Sequence, residues 1–269
     1  MSSADKPPIL SRKNAQEPSV FDPRNLMREA RRQLAIPEGS VPEICLLDPD
    51  GDILRHLKRS GEAARNESWA CYHTELYDFS LGDLRLGIVG CAVGASFAVL
   101  IAEEMFASGC KFLISMTSSG QIMPIRKPPF FVLIEKSLRD EGTSYHYLPP
   151  SEYSEIPGEV LSILKDAFAE ISDAVERGTT WTTDAPFRET ETAIAHCRSA
   201  GILAVEMEAA ALYAFSRARG KPAVCFAHVT NQMGNNEEDF EKGEEMGGPD
   251  ALRVIEAAAR AWLASGPGA

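Results

Sequence analysis

From residue 41 onward the chain alternates short apolar runs with longer segments of helical periodicity. The apolar runs predict strands at residues 43–47, 69–79, 84–91, 111–116, 130–136, 179–182, 202–205 and 223–229. The periodic segments predict helices at residues 95–107, 160–170, 189–200, 207–219 and 249–262. This alternation favours an α/β fold, a three-layer α/β/α sandwich with a mixed, largely parallel central sheet.

The first forty residues follow a different pattern. Residues 1 to 20 are rich in Ser, Pro, Lys and Asn, which is typical of a flexible arm. Asp22 and Pro23 then offer an N-cap and a first-turn proline, which predict a short helix. We expect an arm and helix over residues 1–40, a single domain over residues 41–269, and a charged, glycine-rich loop at 235–248.

Composition narrows the classes of partner. The 269 residues carry a formal net charge of −12, which disfavours nucleic acid because no basic face is present. Six cysteines without a CxxC pair, and no metal-site spacing, predict free thiols, a reducing cytoplasm and no metal or cofactor. No apolar run could span a bilayer and no signal peptide precedes the fold, so we expect a cytoplasmic protein with no membrane partner.

The most informative motif is V-E-M-E-A-A at residues 205–210, where an apolar strand turns into an alanine-rich helix. At the carboxyl end of a strand in an open α/β sheet, side chains face the crevice in which ligands bind. A carboxylate there can accept hydrogen bonds from the paired hydroxyls of a ribose. The alternative is that Glu206 and Glu208 only favour the positive end of the helix dipole.

Four further strand ends carry small or polar residues, and each could also be an ordinary turn or loop. They are D-P-D-G-D at 48–52, G-C-A-V-G-A-S at 90–96, S-M-T-S-S-G at 115–120 and A-H-V-T-N-Q at 227–232. The glycine run lacks the dinucleotide fingerprint, which excludes a nicotinamide cofactor. Its small residues leave backbone N–H groups open to a ligand, and the amide of Asn231 can pair with the edge of a heterocycle.

Two loop-like segments add aromatic groups. Residues 139–147 combine charge with aromatics, and His146 is a site candidate or, equally, a structural histidine. Residues 181–188 place Trp181, an aromatic wall suited to stacking on a base, before the guanidinium of Arg188.

Together these segments resemble the purine and uridine phosphorylase family, in the branch that includes the methylthioadenosine and adenosylhomocysteine nucleosidases. The resemblance covers about residues 41–264 and implies a nucleoside phosphorylase-like fold, a homo-oligomer from dimer to hexamer, and cleavage of a nucleoside N-glycosidic bond. It assigns the ribose to Glu206, Met207 and Glu208, with Glu208 bonding the 2′ and 3′ hydroxyls. It assigns the base to Trp181, Arg188 and Asn231, and a neighbouring-subunit contribution to His146 and Tyr147. It also places Asn231 among the catalytic residues with Glu208 and Asp52, at the position where purine-cleaving members carry a general-acid aspartate.

The co-substrate is where this chain departs from the family pattern. Positions that carry phosphate-binding arginines in the phosphorylases hold Gly51, a residue near Glu67, and Ser115. The N–H of Gly94 and the hydroxyls of Thr117 and Ser118 could compensate in part, as could Arg55.

Three activities follow from this departure. Phosphorolysis of uridine, inosine or guanosine, giving free base and ribose 1-phosphate, is the first expectation. Hydrolysis is the alternative, with water activated by Asp52, or by Asp50, through a raised pKa. A protein that binds nucleosides without cleaving them is the third.

Overall fold

The computed structural model describes residues 7–11, 13–15, 17–233 and 240–266. Parts of the predicted arm (1–6, 12 and 16) and of the predicted loop (235–239) therefore lie outside the described residues. The strands are β1 Ile44–Asp48, β2 Ala64–Arg65, β3 Tyr77–Leu81, β4 Leu84–Gly90, β5 Phe112–Gln121, β6 Phe130–Asp140, β7 Tyr153–Glu155, β8 Val175–Thr183, β9 Ala204–Glu206 and β10 Ala223–Asn231. The helices are α1 Pro23–Leu34, α2 Asp52–Ser60, α3 Ala95–Ala107, α4 Ser144–Tyr147, α5 Gly158–Ile163, α6 Glu191–Ser199, α7 Ala209–Arg219 and α8 Gly248–Ala264.

The strands form one mixed sheet that bends back on itself. Strand β1 lies parallel to both β4 and β5, and β5 is also parallel to β10. Beyond β10 the order continues through β6, β8 and β9, and β9 returns to pair with the end of β5. The carboxyl ends of β1, β4, β5, β9 and β10 therefore come together, and Asp52, Gly94, Thr117, Glu208 and Asn231 lie within a few residues of these ends. We call this region the crevice.

Helices cover both faces of the sheet. On one face α7 packs against α3 and α4, and α3 packs against α1. On the other face α8 contacts α2 and α5. Helix α7 is buried along its first two turns, which fits its run of alanines. The mixed α/β architecture predicted from the sequence is confirmed. Among the described residues no helix is both long and apolar enough to cross a membrane.

Several local predictions hold, and two predicted elements are shorter in the structure. Asp22 caps α1 by accepting the N–H of Arg24 at 2.8 Å, as expected. The strand predicted over 69–79 forms only from Tyr77, because Trp69 and Leu76 bury their side chains from an irregular loop. The helix predicted over 160–170 ends at Ile163.

Helix α2 was not predicted, because the Asp-Pro-Asp-Gly turn chemistry conceals its start. Gly51 adopts a left-handed φ of 76° and leads directly into the helix. Strand β5 also runs further than expected, through the polar residues 117–120. These residues remain in the sheet because β10 pairs beside them, with Thr117 opposite Ala227 and Ser118 opposite His228.

Candidate active site

Glu206 is held inside the protein by hydrogen bonds to both of its carboxylate oxygens. It is buried at the end of β9, and its contacts span 2.6 to 3.0 Å. The donors are the hydroxyls of Ser137, Thr180 and Thr182 and the backbone N–H groups of Glu208 and Ala209. Glu206 therefore caps the start of α7, and this geometry does not support the direct ribose contact predicted for it.

Glu208 is equally buried but has fewer partners, which are two backbone N–H groups and the hydroxyl of Thr117. Its Oε1 accepts the backbone N–H of Gly94 at 2.7 Å, and its Oε2 accepts that of Met207 at 3.3 Å. Burial and, second, the charge of Glu206 raise the pKa of Glu208 to about 8. A buried carboxyl group with spare hydrogen-bonding capacity at a strand end is typical of a ligand site. The half-buried side chain of Met207 lies beside it.

Gly94 precedes α3 and was predicted to offer its N–H to a ligand. In the structure that N–H is already bonded to Glu208. The same is true of Ser118, whose backbone N–H donates to Asp50 Oδ2 at 2.7 Å. Two backbone donors that could bind an anion are thus occupied by carboxylates of the protein itself.

Three aspartates at and just after the end of β1 have three different environments. Asp48 is buried and accepts the N–H groups of Gly51 and Leu54, so it fixes the start of α2, and burial raises its pKa to about 7. Asp50 binds the end of β5 through Ser118. Asp52, the predicted general base, is paired with two cations.

Arg55 donates to Asp52 at 2.5 Å, and Lys242 Nζ donates to its other oxygen. Burial alone would raise the pKa of Asp52, but the hydrogen bonds from Lys242 and Arg55 together lower it below the usual value. The raised pKa predicted for this residue was therefore wrong. Lys242 was not singled out by the sequence, because it lies 190 residues from Asp52.

A narrow cavity lies between these groups. Its lining includes Asp48, Asp50, Asp52, Thr117, Ser118 and His228, and it has room for about one water molecule. The Nε2 of His228 is buried and has no hydrogen-bond partner. Burial and, second, nearby Lys242 lower the pKa of His228 to about 4, so the ring is neutral.

In the segment predicted to recognise the base, residues 181–188, Trp181 is buried and Phe187 is exposed. Trp181 is only 3% exposed, packs with Ile202 and Val205, and donates its Nε1 to Asp140 at 3.0 Å. Trp181 packs as a core residue, and this geometry does not support the stacking wall predicted for it. The exposed aromatic is Phe187, whose side chain is almost wholly free beside the exposed Arg188 on a short 3-10 turn, Pro186–Arg188.

Asn231 ends β10 with its amide engaged at both ends. Its Oδ1 accepts the N–H of Met233 at 2.9 Å, and its Nδ2 contacts the carbonyl of Ser119 at 3.4 Å and the hydroxyl of Thr230 at 3.2 Å. The side chain therefore shapes the turn after β10, and a base would have to compete with these partners.

His146 and Tyr147 lie on α4 rather than on a loop. The ring of His146 contacts Lys13 at 3.0 Å and is exposed. Tyr147 donates to Glu103 at 3.0 Å and packs against Phe215, so its side chain is committed to its own subunit. The predicted contribution of Tyr147 to a neighbouring subunit is not supported by this geometry. In the described part of the chain, no group of three or more His, Cys, Asp and Glu side chains could hold a metal ion.

Comparisons with known proteins identify the family to which the chain is similar. Residues 43–260 match the family model described as the phosphorylase superfamily. A guanosine phosphorylase from Halorubrum lacusprofundi is 24% identical over 219 residues, which cover 79% of this chain and 88% of that protein.

Two structures of uridine phosphorylase from Vibrio fischeri ES114, one complexed with 6-hydroxy-1-naphthoic acid, match with a TM-score of 0.67 and 17% identity. They cover 81% of this chain and 90% and 91% of those chains. This match confirms the predicted nucleoside phosphorylase-like fold.

Proposed function

The chain belongs to the phosphorylase superfamily, and we propose that it cleaves the N-glycosidic bond of a nucleoside by transferring the ribose to phosphate. The products are the free base and ribose 1-phosphate. The observation that carries this proposal is Glu208, a buried carboxyl group with unused capacity at the convergence of five strand ends. The guanosine phosphorylase relative supports phosphate as the acceptor.

In this proposal Glu208 binds the 2′ and 3′ hydroxyls of the ribose, and Met207 packs beside the sugar. The hydroxyls donate to the carboxylate and favour its charged form, which burial alone disfavours. As the bond to the base breaks, positive charge develops on the ribose. A buried carboxylate at the hydroxyls stabilises that charge.

The base is assigned to the exposed turn Pro186–Arg188. Phe187 offers a free aromatic face for stacking, and Arg188 offers a guanidinium to a carbonyl oxygen of the base. A guanidinium suits guanosine, inosine and uridine, each of which carries such an oxygen. Asn231 can take part only by giving up a bond to the turn after β10.

Hydrolysis is the second candidate, and one observation favours it. The N–H groups of Gly94 and Ser118 are occupied by carboxylates, and the adjoining cavity has room for about one water molecule. Against it, Asp52 is a weak base, because its hydrogen bonds to Lys242 and Arg55 lower its pKa.

We also propose that the protein acts in the cytoplasm, over a single domain at residues 41–269, as a homo-oligomer. Light scattering measures the oligomeric state directly. A monomer that is fully active would contradict a site shared between subunits.

The test of function is release of free base from guanosine, inosine and uridine, with and without inorganic phosphate, with the sugar product identified. Phosphate-dependent release with ribose 1-phosphate supports the proposal. Release of free ribose at equal rates without phosphate contradicts it and supports hydrolysis. No release from any of the three leaves a protein that only binds nucleosides.

A further inference from the structure

A second cavity lies at the opposite end of the sheet from the crevice. Its volume is about 490 Å³, which is in the range of pockets that hold small organic ligands. Its lining includes Lys111, directly before β5, and Pro222, directly before β10. The cavity therefore adjoins the amino ends of two strands whose other ends reach the crevice, and it shares no lining residue with the narrow cavity beside Asp52.

Much of the wall of this cavity is apolar. The apolar side chains in its lining belong to Phe106, Pro157, Val160, Pro222 and Trp262. Phe106 is half-buried, and Trp262 is stacked on Phe112 with 4.5 Å between the ring centroids. Aromatic rings held in fixed positions favour a flat apolar group beside them.

The charged residues of the lining are mostly cations. They are Lys111, Arg217 and Lys221, against the single carboxylate of Glu159. Lys111 pairs with Glu43 at 2.6 Å, whereas the guanidinium of Arg217 has no hydrogen bond or ion pair to any residue that the structure describes. In a chain with a net charge of −12, unpaired positive charge beside an apolar cavity attracts an anion to this place.

The end of α7 offers another explanation for Arg217, because the helix dipole favours a cation in the last turn. Arg219 lies in the same turn, but its Nε donates to Glu103 at 2.9 Å. The dipole does not explain Lys221, which lies beyond the end of the helix and holds its Nζ 5.6 Å from the ring centroid of Phe106. The two cations thus meet an aromatic ring in the lining of one cavity.

We propose that this cavity binds a small organic anion that carries a flat ring, such as an aromatic carboxylate or a nucleoside monophosphate. The ring lies against Phe106 and Trp262, and the anionic group takes charge-assisted hydrogen bonds from Arg217 and Lys221. This site is separate from the crevice, so its occupation depends neither on Glu208 nor on the proposed cleavage.

The experiment is isothermal titration calorimetry of the full chain with two anionic probes, indole-3-acetate and guanosine 5′-monophosphate. We expect saturable binding of at least one of them. Binding of only one probe identifies whether aromatic acids or nucleotides are the source of the anion. Indole-3-ethanol keeps the ring of the first probe without its charge, and acetate keeps the charge without the ring. Each should bind ~10-fold more weakly or worse.

The variants locate the bound anion. Arg217→Gln and Lys221→Gln should each weaken binding ~10-fold or more, since each removes a charged donor. Arg59→Gln is the matched control, because Arg59 is also an exposed arginine in the last turn of a helix, α2, with no partner among the described residues. This control and Glu208→Gln, at the crevice end of α7, should both keep the wild-type affinity.

Several results would overturn the inference. One is the absence of saturable binding of either anion, and another is equal binding of indole-3-ethanol. A third is an Arg217→Gln variant that loses Tm but keeps the wild-type affinity, which would leave Arg217 only its role at the helix end. If Arg217→Gln does not fold, Lys221→Gln decides, since that residue lies outside the helix. Binding that is lost in Glu208→Gln alone would place the anion in the crevice.

Discussion

The buried carboxylates at the ends of β9 and β1 are stabilised by different kinds of hydrogen-bond donor. At the end of β9, Glu206 is satisfied by five uncharged donors, and this leaves Glu208 with spare capacity. At the end of β1, Asp52 is satisfied by two cations, Arg55 and Lys242. Uncharged donors therefore hold the carboxylate at one end, whereas charged groups hold the carboxylate at the other.

The kind of donor around each acidic side chain indicates whether that side chain is structural or available to a ligand. Hydroxyl and amide donors stabilise a buried carboxylate without drawing in further charge, so Glu206 is part of the framework. Ion pairs at a partly open site can be broken and replaced by a ligand that offers equal charge. This difference supports the proposal that the β9 end, where Glu208 lies, binds the sugar.

We expect the largest loss of activity from substitution of Glu208. Glu208→Gln keeps the size of the side chain but removes the charge that stabilises the ribose in the transition state. We expect kcat/KM for the nucleoside to fall ~10²–10³-fold. The measurement is base release under phosphate saturation, with Tm as the control for folding. Wild-type activity in a folded Glu208→Gln would break the distinction between the two glutamates.

Glu206→Gln tests the other half of that distinction. An amide in this position turns an NH₂ group toward donors and leaves some of them unpaired. We expect a loss of about 3 kcal/mol in the free energy of unfolding, measured by urea denaturation. The KM for the nucleoside should stay near wild type in the fraction that folds. Unchanged stability with a raised KM would instead return Glu206 to the ribose site.

The pKa of Glu208 makes stability depend on pH. Its folded pKa, about 8, lies above its ordinary value of 4.5, so its contribution is fully present below pH 4.5 and is lost as pH rises through 8. Relative to Glu208→Gln, the wild type should lose on the order of a few kcal/mol between pH 5 and 9. Unfolding curves of both proteins across this range measure the difference. Parallel pH profiles would mean that Glu208 titrates normally.

The smallest effects extend the comparison to the two aromatic residues of the base segment. Trp181→Phe loses the Nε1 bond to Asp140 and should cost about 1 kcal/mol of stability with no change in KM. Phe187→Ala should raise the KM for the nucleoside ~5-fold without changing Tm, because its side chain is exposed. The reverse pattern, with Trp181→Phe altering KM, would restore Trp181 as the stacking wall.

Much of the fold follows from local patterns in the sequence. The apolar runs place most strands, and Asp22 with Pro23 places the first helix, because these signals depend only on neighbouring residues. Helix α2 was missed because Gly51 ends a turn and begins the helix within a single residue. The V-E-M-E motif indicated a candidate site but could not separate Glu206 from Glu208, since the hydroxyls that satisfy Glu206 come from β6 and β8.

The rest of the site depends on contacts between distant parts of the chain. Lys242 pairs with Asp52 although 190 residues separate them in the sequence, and no local sequence pattern predicts such a pair. Trp181 was predicted to face a ligand because aromatic residues suit base stacking, but the pattern of β8 did not reveal that Ile202 and Val205 would cover it. The alternation of Thr180 and Thr182 on one face of β8 was the signal that could have located the partners of Glu206.

The most direct test of the account compares a ribonucleoside with its 2′-deoxy counterpart in the wild type and in Glu208→Gln. If Glu208 bonds the 2′ hydroxyl, the wild type prefers guanosine over 2′-deoxyguanosine by ~10-fold or more in kcat/KM, and the variant shows a ratio near one. The same pair is available for inosine or uridine, whichever is the better substrate. A preference that survives unchanged in Glu208→Gln would contradict the assignment of the ribose to Glu208.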